Sequence, residues 1–466
     1  MSAVVAHRSR ASVIWMRKAV SLTAALVATA ALAAIAHRLT RRAPLDPAAA
    51  VATATAALGF LLMGGWLAGR LATKVGLPAL TGQLVAGICA GPSVASALAS
   101  PASAWGLGSV PTLVSAQDIR YLAGIDALAV AMIGIAAGGE LELGHLRRIA
   151  RRVIAIVIIE MPAVGLAAAG ALATASSAGL AALGTDVPLP LACMLTGCLM
   201  MASSPAVAIA LMREQGRTGE FAQFAMALIV AKDIVLTVVF TGVLVAGARI
   251  VGAASGATPV PTAPGTVLAW HLLGSLALGA VLSAPLALVL RRVERRMDMV
   301  AVVVAALVAA LARSVDLSPL LVALTLGIAL RTGSPRGSRS FFAATGRTLL
   351  PVCCIFFALT GAKLDVMSIW SALPATAAIC GARMAAAWAG ATAGATIAGL
   401  EPRSRRWIWA CLVPQAGVAI ALASEVGKAF EGLPWAAPLT ALLISCVAMN
   451  EVVGPPLMRI ALRRAQ

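Results

Sequence analysis

Apolar runs of about 20 residues follow one another along nearly all of this 466-residue chain. A helix of that length crosses about 30 Å of hydrocarbon. In lipid, backbone polar groups must be satisfied within the protein, and a helix does this internally. Charged residues make up 12% of the chain and apolar ones 61%, where a soluble domain carries about 25% charged residues. The sequence therefore predicts an all-α polytopic membrane protein. No segment is long and polar enough for a separate soluble domain.

Spans are predicted near 19–37, 48–69, 77–92, 119–141, 152–174, 189–212, 221–247, 266–290, 298–313, 317–333, 347–363, 370–399, 406–427 and 435–458. From residue 48 onward the basic residues separate into alternate loops. One set includes Arg70 and Lys74, then Arg147, Arg148, Arg151 and Arg152. It continues with Arg291, Arg292, Arg295 and Arg296, and later Arg403, Arg405, Arg406, Arg459, Arg463 and Arg464. The opposite set holds only Arg120, Arg249, Arg313, Lys363 and Lys428. Positive-inside sorting places the richer set in the cytoplasm. It also accounts for the net charge of +18 without a nucleic-acid partner, which would need a basic soluble face.

Residues 1–47 form a basic N-terminus with an extra apolar run. Arg8, Arg10, Arg17 and Lys18 precede that run, which reads as an uncleaved signal-anchor helix or a signal sequence. The eight cysteines show neither disulfide-framework nor metal-ligand spacing. No resident metal or cofactor is expected. No paired carboxylates, Ser/His pair or ligand cluster stands at catalytic spacing, so an enzyme is not expected either.

Charges inside spans carry the functional signal, because a midplane charge is expensive unless paired or hydrated. They are Lys232 and Asp233 in ALIVAKDIVLTVVF, Arg383 in ICGARMAAAWAGA and Glu451 in AMNEVVGPP. Asp233 lies about a dozen residues into its span, roughly 18 Å along the axis at 1.5 Å per residue. Asp126 and Glu160 are further acids within or near spans. Glu160 is placed to line a pathway or to pair with Arg383.

The order of spans suggests two six-span copies, 48–247 and 298–458, joined by a linker helix at 266–290. The odd linker inverts the second copy, an architecture common among secondary transporters. The fifth span of each copy is interrupted, by Ser203-Ser204-Pro205 in one and by Pro414-Gln415-Ala416-Gly417 in the other. Proline removes a backbone donor and clashes with the preceding turn. The Ser, Gln and Gly neighbours can satisfy or relax the freed backbone. Paired broken helices are expected, not two incidental kinks.

Six segments together resemble a known family. They are LPALTGQLVAGICAGPS (77–93), IAAGGELELGHLRR (135–148), MASSPAVAIALMREQGRTGEFAQ (201–223), IVAKDIVLTVVF (229–240), FFALTGAKLD (356–365) and LVPQAGVAIALA (412–423). In this order they resemble the monovalent cation:proton antiporter superfamily, the sodium/hydrogen exchangers of the cation:proton antiporter-2 type. The resemblance covers about residues 50–460. It implies crossed broken helices beside Asp233, which would be the ion- and proton-binding carboxylate. It also implies a homodimer with an elevator-like motion. The core would comprise 152–247 and 370–458, the scaffold 48–141 and 298–363, and 459–466 a cytoplasmic tail. A basic residue of the family matches Arg383. Lys232 departs from the Asp, Asn or Gln usual before the aspartate.

The implied activity is exchange of Na⁺ or K⁺ for protons in a bacterial inner membrane, with both termini cytoplasmic. Ser203, Ser204 and unwound carbonyls would complete an oxygen cage of the kind hard cations prefer. Lys232 has three possible roles: a fixed charge at the site, a titrating partner, or one half of a structural pair, for which Glu451 is the best acid. A same-fold organic-anion symporter, with Lys232 and Arg383 holding a carboxylate, is one alternative function. A non-transporting sensor with Lys232 in the cation's place is another.

Overall fold

The computed structural model describes residues 23, 29–30, 47–104, 112–141, 143–181, 183, 187–216, 219–255, 269–292, 296–334 and 337–465. The predicted N-terminal helix at 19–37 lies almost wholly outside them. Among the described residues the regular structure is entirely helical. Nine helices are long and apolar enough to cross a membrane, or ten if Ala79–Ala90 and Pro92–Leu98, bent by 53°, form one span. The chain is a multi-pass membrane protein.

In chain order the helices are α1 (Pro47–Lys74), α2 (Ala79–Ala90), α3 (Pro92–Ala104), α4 (Ala116–Tyr121), α5 (Ala123–Glu140), α6 (Leu143–Ser177), α7 (Leu189–Met200) and α8 (Pro205–Gln215). Then come α9 (Glu220–Ser255), a π turn at Trp270–Gly274, α10 (Ser275–Arg292), α11 (Met297–Ser314), α12 (Pro319–Gly333) and α13 (Arg339–Ala362). The last are α14 (Val366–Ser371), α15 (Leu373–Ile397), α16 (Pro402–Trp407), a 3₁₀ turn at Ile408–Cys411, α17 (Gly417–Ala429) and α18 (Ala436–Arg464).

The chain divides into two compact units. The first comprises Met1–Gly124 and Pro351–Val366. Small residues set its packing, as expected where lipid removes the hydrophobic drive between helices. Gly82 of α2 lies against the Ala68 carbonyl of α1, and Gly87 against the Ala358 carbonyl of the returning segment, so a methyl group at either would overlap backbone. At its rim, Ser93 donates to Asp365 at 2.8 Å and accepts from the Val366 amide.

The second unit, Ile125–Leu350 and Met367–Gln466, holds every charged residue of the candidate site. Its central pair is α6 with α15. Gly390 and Gly394 of α15 lie directly against the backbone of Glu160 and Ile156, which brings the two helices to small-residue distance. On the other side of α6, Gly197 of α7 lies against the carbonyl of Gly165. Helix α9 packs on α6, α7, α8 and α17. Prolines 162, 285, 351, 455 and 456 remain inside helices. Pro205 and Pro414 stand at genuine breaks.

Candidate functional site

Two interruptions meet in the second unit. Helix α7 ends at Met200, residues 201–204 are non-helical, and α8 starts at Pro205. Pro205 occupies the first helical position, where its missing N–H costs nothing. Ser204 is the N-cap, its hydroxyl accepting from the Val207 amide at 3.2 Å. The second interruption runs from Leu412 to Ala416, between the 3₁₀ turn and Gly417, the first residue of α17. The breaks bond directly. The Ser204 amide donates to the Pro414 carbonyl at 2.8 Å, and the Ser203 hydroxyl donates to the Leu412 carbonyl at 2.8 Å. Gln415 donates through Nε2 to the carbonyls of Leu199 at 3.1 Å and Ala202 at 3.3 Å.

Arg383 of α15 closes this crossing. Its Nε donates to the Met200 carbonyl at 2.7 Å. Nη1 reaches the Val413 carbonyl at 2.9 Å and Asn450 Oδ1 at 3.3 Å. Nη2 reaches the carbonyls of Ala202 at 2.7 Å and Leu412 at 3.1 Å. A guanidinium has five N–H donors, so none is left over. Four of the acceptors are carbonyls at the C-terminal ends of two half-helices, where partial negative charge collects. Arg383 supplies the compensating cation there, and the pairing with Glu160 considered from the sequence does not form.

Asn450 of α18 is the site residue the sequence reading passed over. Its amide donates to Gln415 Oε1 at 3.0 Å and to the Cys446 carbonyl at 2.9 Å. It thereby ties α18 to both Arg383 and the second break. A polar Asn-Glu pair in an apolar helix was the available signal. Gly454, one turn further on, lies against Pro414, and an added Cβ would fall 2.5 Å from its Cα. We expect Gly454→Ala to cost about 1–3 kcal/mol through overpacking. Thermal unfolding in detergent should show the loss beside Gly381→Ala, where a Cβ meets nothing within 4 Å.

Lys232 and Asp233 occupy adjacent positions of α9 and therefore point about 100° apart. Lys232 reaches across to α6, where its Nζ donates to Glu160 Oε1 at 2.7 Å, with both side chains 1% exposed. This corrects the sequence expectation that Glu451 would be the structural partner. The expectation rested on an assumed repeat, whereas the contact is set by α6 lying against α9. Glu451 is itself buried in α18. Asp233 is 7% exposed, and its carboxylate makes no hydrogen bond or ion pair among the described residues. Its backbone carbonyl accepts from Thr237.

A sequence model described as the transmembrane sodium/hydrogen exchanger matches residues 58–459. The chain belongs to the sodium/hydrogen exchanger family. That family is one of transporters, not enzymes. The sodium/hydrogen exchanger match covers both breaks, Asp233, Arg383 and Glu451. No curated protein sequence matches the chain. Among solved structures, the sodium proton antiporter MjNhaP1 from Methanocaldococcus jannaschii at pH 8 superposes with a TM-score of 0.64 at 14% identity. The match covers 89% of this chain and 99% of that one. An electron-microscopy map of the same protein gives 0.59 at 15% identity, covering 86% and 94%. At such identities the likeness establishes the fold.

Proposed function

We propose that this protein exchanges a monovalent cation, Na⁺ or K⁺, for protons by alternating access. The observation that carries the reading is the distribution of charge in the second unit. Lys232 and Glu160 neutralise each other. Arg383 is consumed by half-helix carbonyls. Asp233 is a buried carboxylate with no protein partner among the described residues. A lone carboxylate in low dielectric needs a counter-charge. A proton or a small cation provides one, and binding one excludes the other. Competition at one carboxylate is then the coupling. Oxygen ligands suit such a cation. Ser203, Ser204 and the unwound carbonyls beside them are the proposed donors.

The finer architecture belongs to the same proposal: 13 spans from residue 48, in two inverted six-helix repeats around the linker helix 266–290. The scaffold would be 48–141 with 298–363, and the core 152–247 with 370–458. The protein would work as a homodimer in a bacterial inner membrane, with both termini cytoplasmic. The organic-anion alternative fares poorly, since the Lys232 charge is already paired with Glu160 and all five donors of Arg383 are taken by the protein.

The deciding experiment is proton-sensitive dye quenching in proteoliposomes with pulses of Na⁺, K⁺ and Li⁺. Dequenching by any of them supports antiport. Silence with all three, beside an active control antiporter, sinks the proposal in favour of a sensor.

An ion pair bears on the motion. Arg213 at the end of α8 meets Glu140 at the end of α5 at 2.7 Å, both about one-third exposed. Gly346 of α13 lies so close that a Cβ would fall 2.6 Å from Arg213 Nη1. In the proposed division Glu140 is scaffold and Arg213 core, so sliding must break the pair. Partly exposed pairs contribute about 0.2–1 kcal/mol. Glu140→Gln should therefore change turnover by roughly 1.4–5-fold. Combining Glu140→Arg with Arg213→Glu should bring it back. Unchanged turnover in both variants would show that the pair stays closed through the cycle.

A further inference from the structure

The end of α18 and the short helix α16 build a cationic cluster around one aromatic ring. The guanidinium carbons of Arg406 and Arg464 lie 6.0 and 5.5 Å from the centroid of Trp407. Arg403 donates through Nε to the Arg464 carbonyl at 2.7 Å, which fastens α16 to the last turn of α18. Arg403, Arg406, Arg463 and Arg464 are exposed, and none forms an ion pair with an acid among the described residues. Gathering like charges on one ring is costly unless an anion enters between them.

We propose that this cluster is a binding site for the phosphate of an anionic phospholipid. Position selects the ligand. Helix α18, Ala436–Arg464, is long and apolar enough to cross a membrane, and 29 residues at 1.5 Å each outrun about 30 Å of hydrocarbon, which would carry its end to headgroup depth. Tryptophan favours that depth. Guanidinium groups bind phosphate oxygens in bidentate fashion, and clustered arginines beside a span attract anionic lipid. In the proposed orientation this is the cytoplasmic leaflet. The site also reaches the transport centre through the chain. Helix α16 continues into the 3₁₀ turn, whose following carbonyls, Leu412 and Val413, accept from Arg383. A headgroup held between α16 and α18 would fix the approach to the second break.

The test is thermal unfolding of the full chain in detergent, titrated with phosphatidylglycerol or phosphatidylcholine. A ligand that binds the folded state raises the melting temperature with concentration. Phosphatidylglycerol should do so, phosphatidylcholine should not, and high salt should abolish the difference. At about fivefold per arginine, Arg406→Gln with Arg464→Gln should weaken the apparent affinity roughly 25-fold. Arg291→Gln with Arg292→Gln, an exposed pair at the end of α10, should not. Equal weakening by both double variants would mean diffuse surface attraction and overturn the site. So would absence of the phosphatidylglycerol effect on the wild-type chain, which needs no variant to fold. Inorganic phosphate should leave the melting temperature unchanged. If it reproduces the lipid's effect, the occupant is a soluble phosphate and the lipid assignment fails. Should the Gln pair not fold, Arg406→Lys with Arg464→Lys keeps the charge but loses the bidentate fork. Undiminished affinity in that variant would overturn the guanidinium site.

Discussion

Asp233→Asn should insert and fold like the wild-type chain, yet lose cation-driven proton flux by at least about 100-fold, the scale lost when a proton-transferring side chain is removed. The reasoning rests on what Asp233 touches. Its carboxylate makes no hydrogen bond or ion pair among the described residues, so the amide strands no counter-charge. Removing an uncompensated buried charge costs the folded state nothing and can stabilise it. What the amide cannot do is release a proton to admit a cation. Loss of flux with unchanged melting behaviour therefore separates a transport role from a structural one. A folded Asp233→Asn variant that still exchanges at the wild-type rate removes this aspartate from the mechanism.

The parts of the molecule that were legible in its sequence are those set by short-range rules. Span length fixed the class, and the matched interruptions at 203–205 and 414–417 marked the two breaks that touch in the structure. Proline alone would have misled, since Pro162, Pro285 and Pro351 sit within continuous helices. Pro205 differs by the serine cap before it, and Pro414 by the Gln and Gly that follow. The illegible parts are long-range. The acceptors of Arg383 are backbone carbonyls, which every residue has, so no side-chain pattern could announce them. Lys232 and Glu160 stand 72 positions apart on helices whose mutual rotation no periodicity reveals. The expected repeat symmetry pointed instead to Glu451, which is buried in α18, whereas the ammonium bonds to α6. Asn450 was visible as a polar residue, but its bridge from Arg383 to Gln415 depended on how α15 and α18 pack.

The buried pair supplies the second large effect. Taking one partner from a buried ion pair strands the other charge, at a cost of about 3–5 kcal/mol. Glu160→Gln should therefore lower the melting temperature sharply, and Lys232→Gln should do so by a comparable amount. The double variant, with both charges gone, should recover most of the loss, because two neutral amides desolvate more cheaply than a lone ion. Glu451→Gln should not rescue Lys232→Gln. Recovery there, and none with Glu160→Gln, would mean that the ammonium answers to α18 and not to α6. The same double variant also isolates the effect of Lys232 on transport, free of misfolding. If the ammonium repels a second cation from Asp233 across the helix, the folded double variant should exchange with a shifted cation affinity or pH optimum. If affinity and pH profile both match the wild type, the pair is scaffolding only. Asp233 would then set the cation and proton dependence without help from its neighbour.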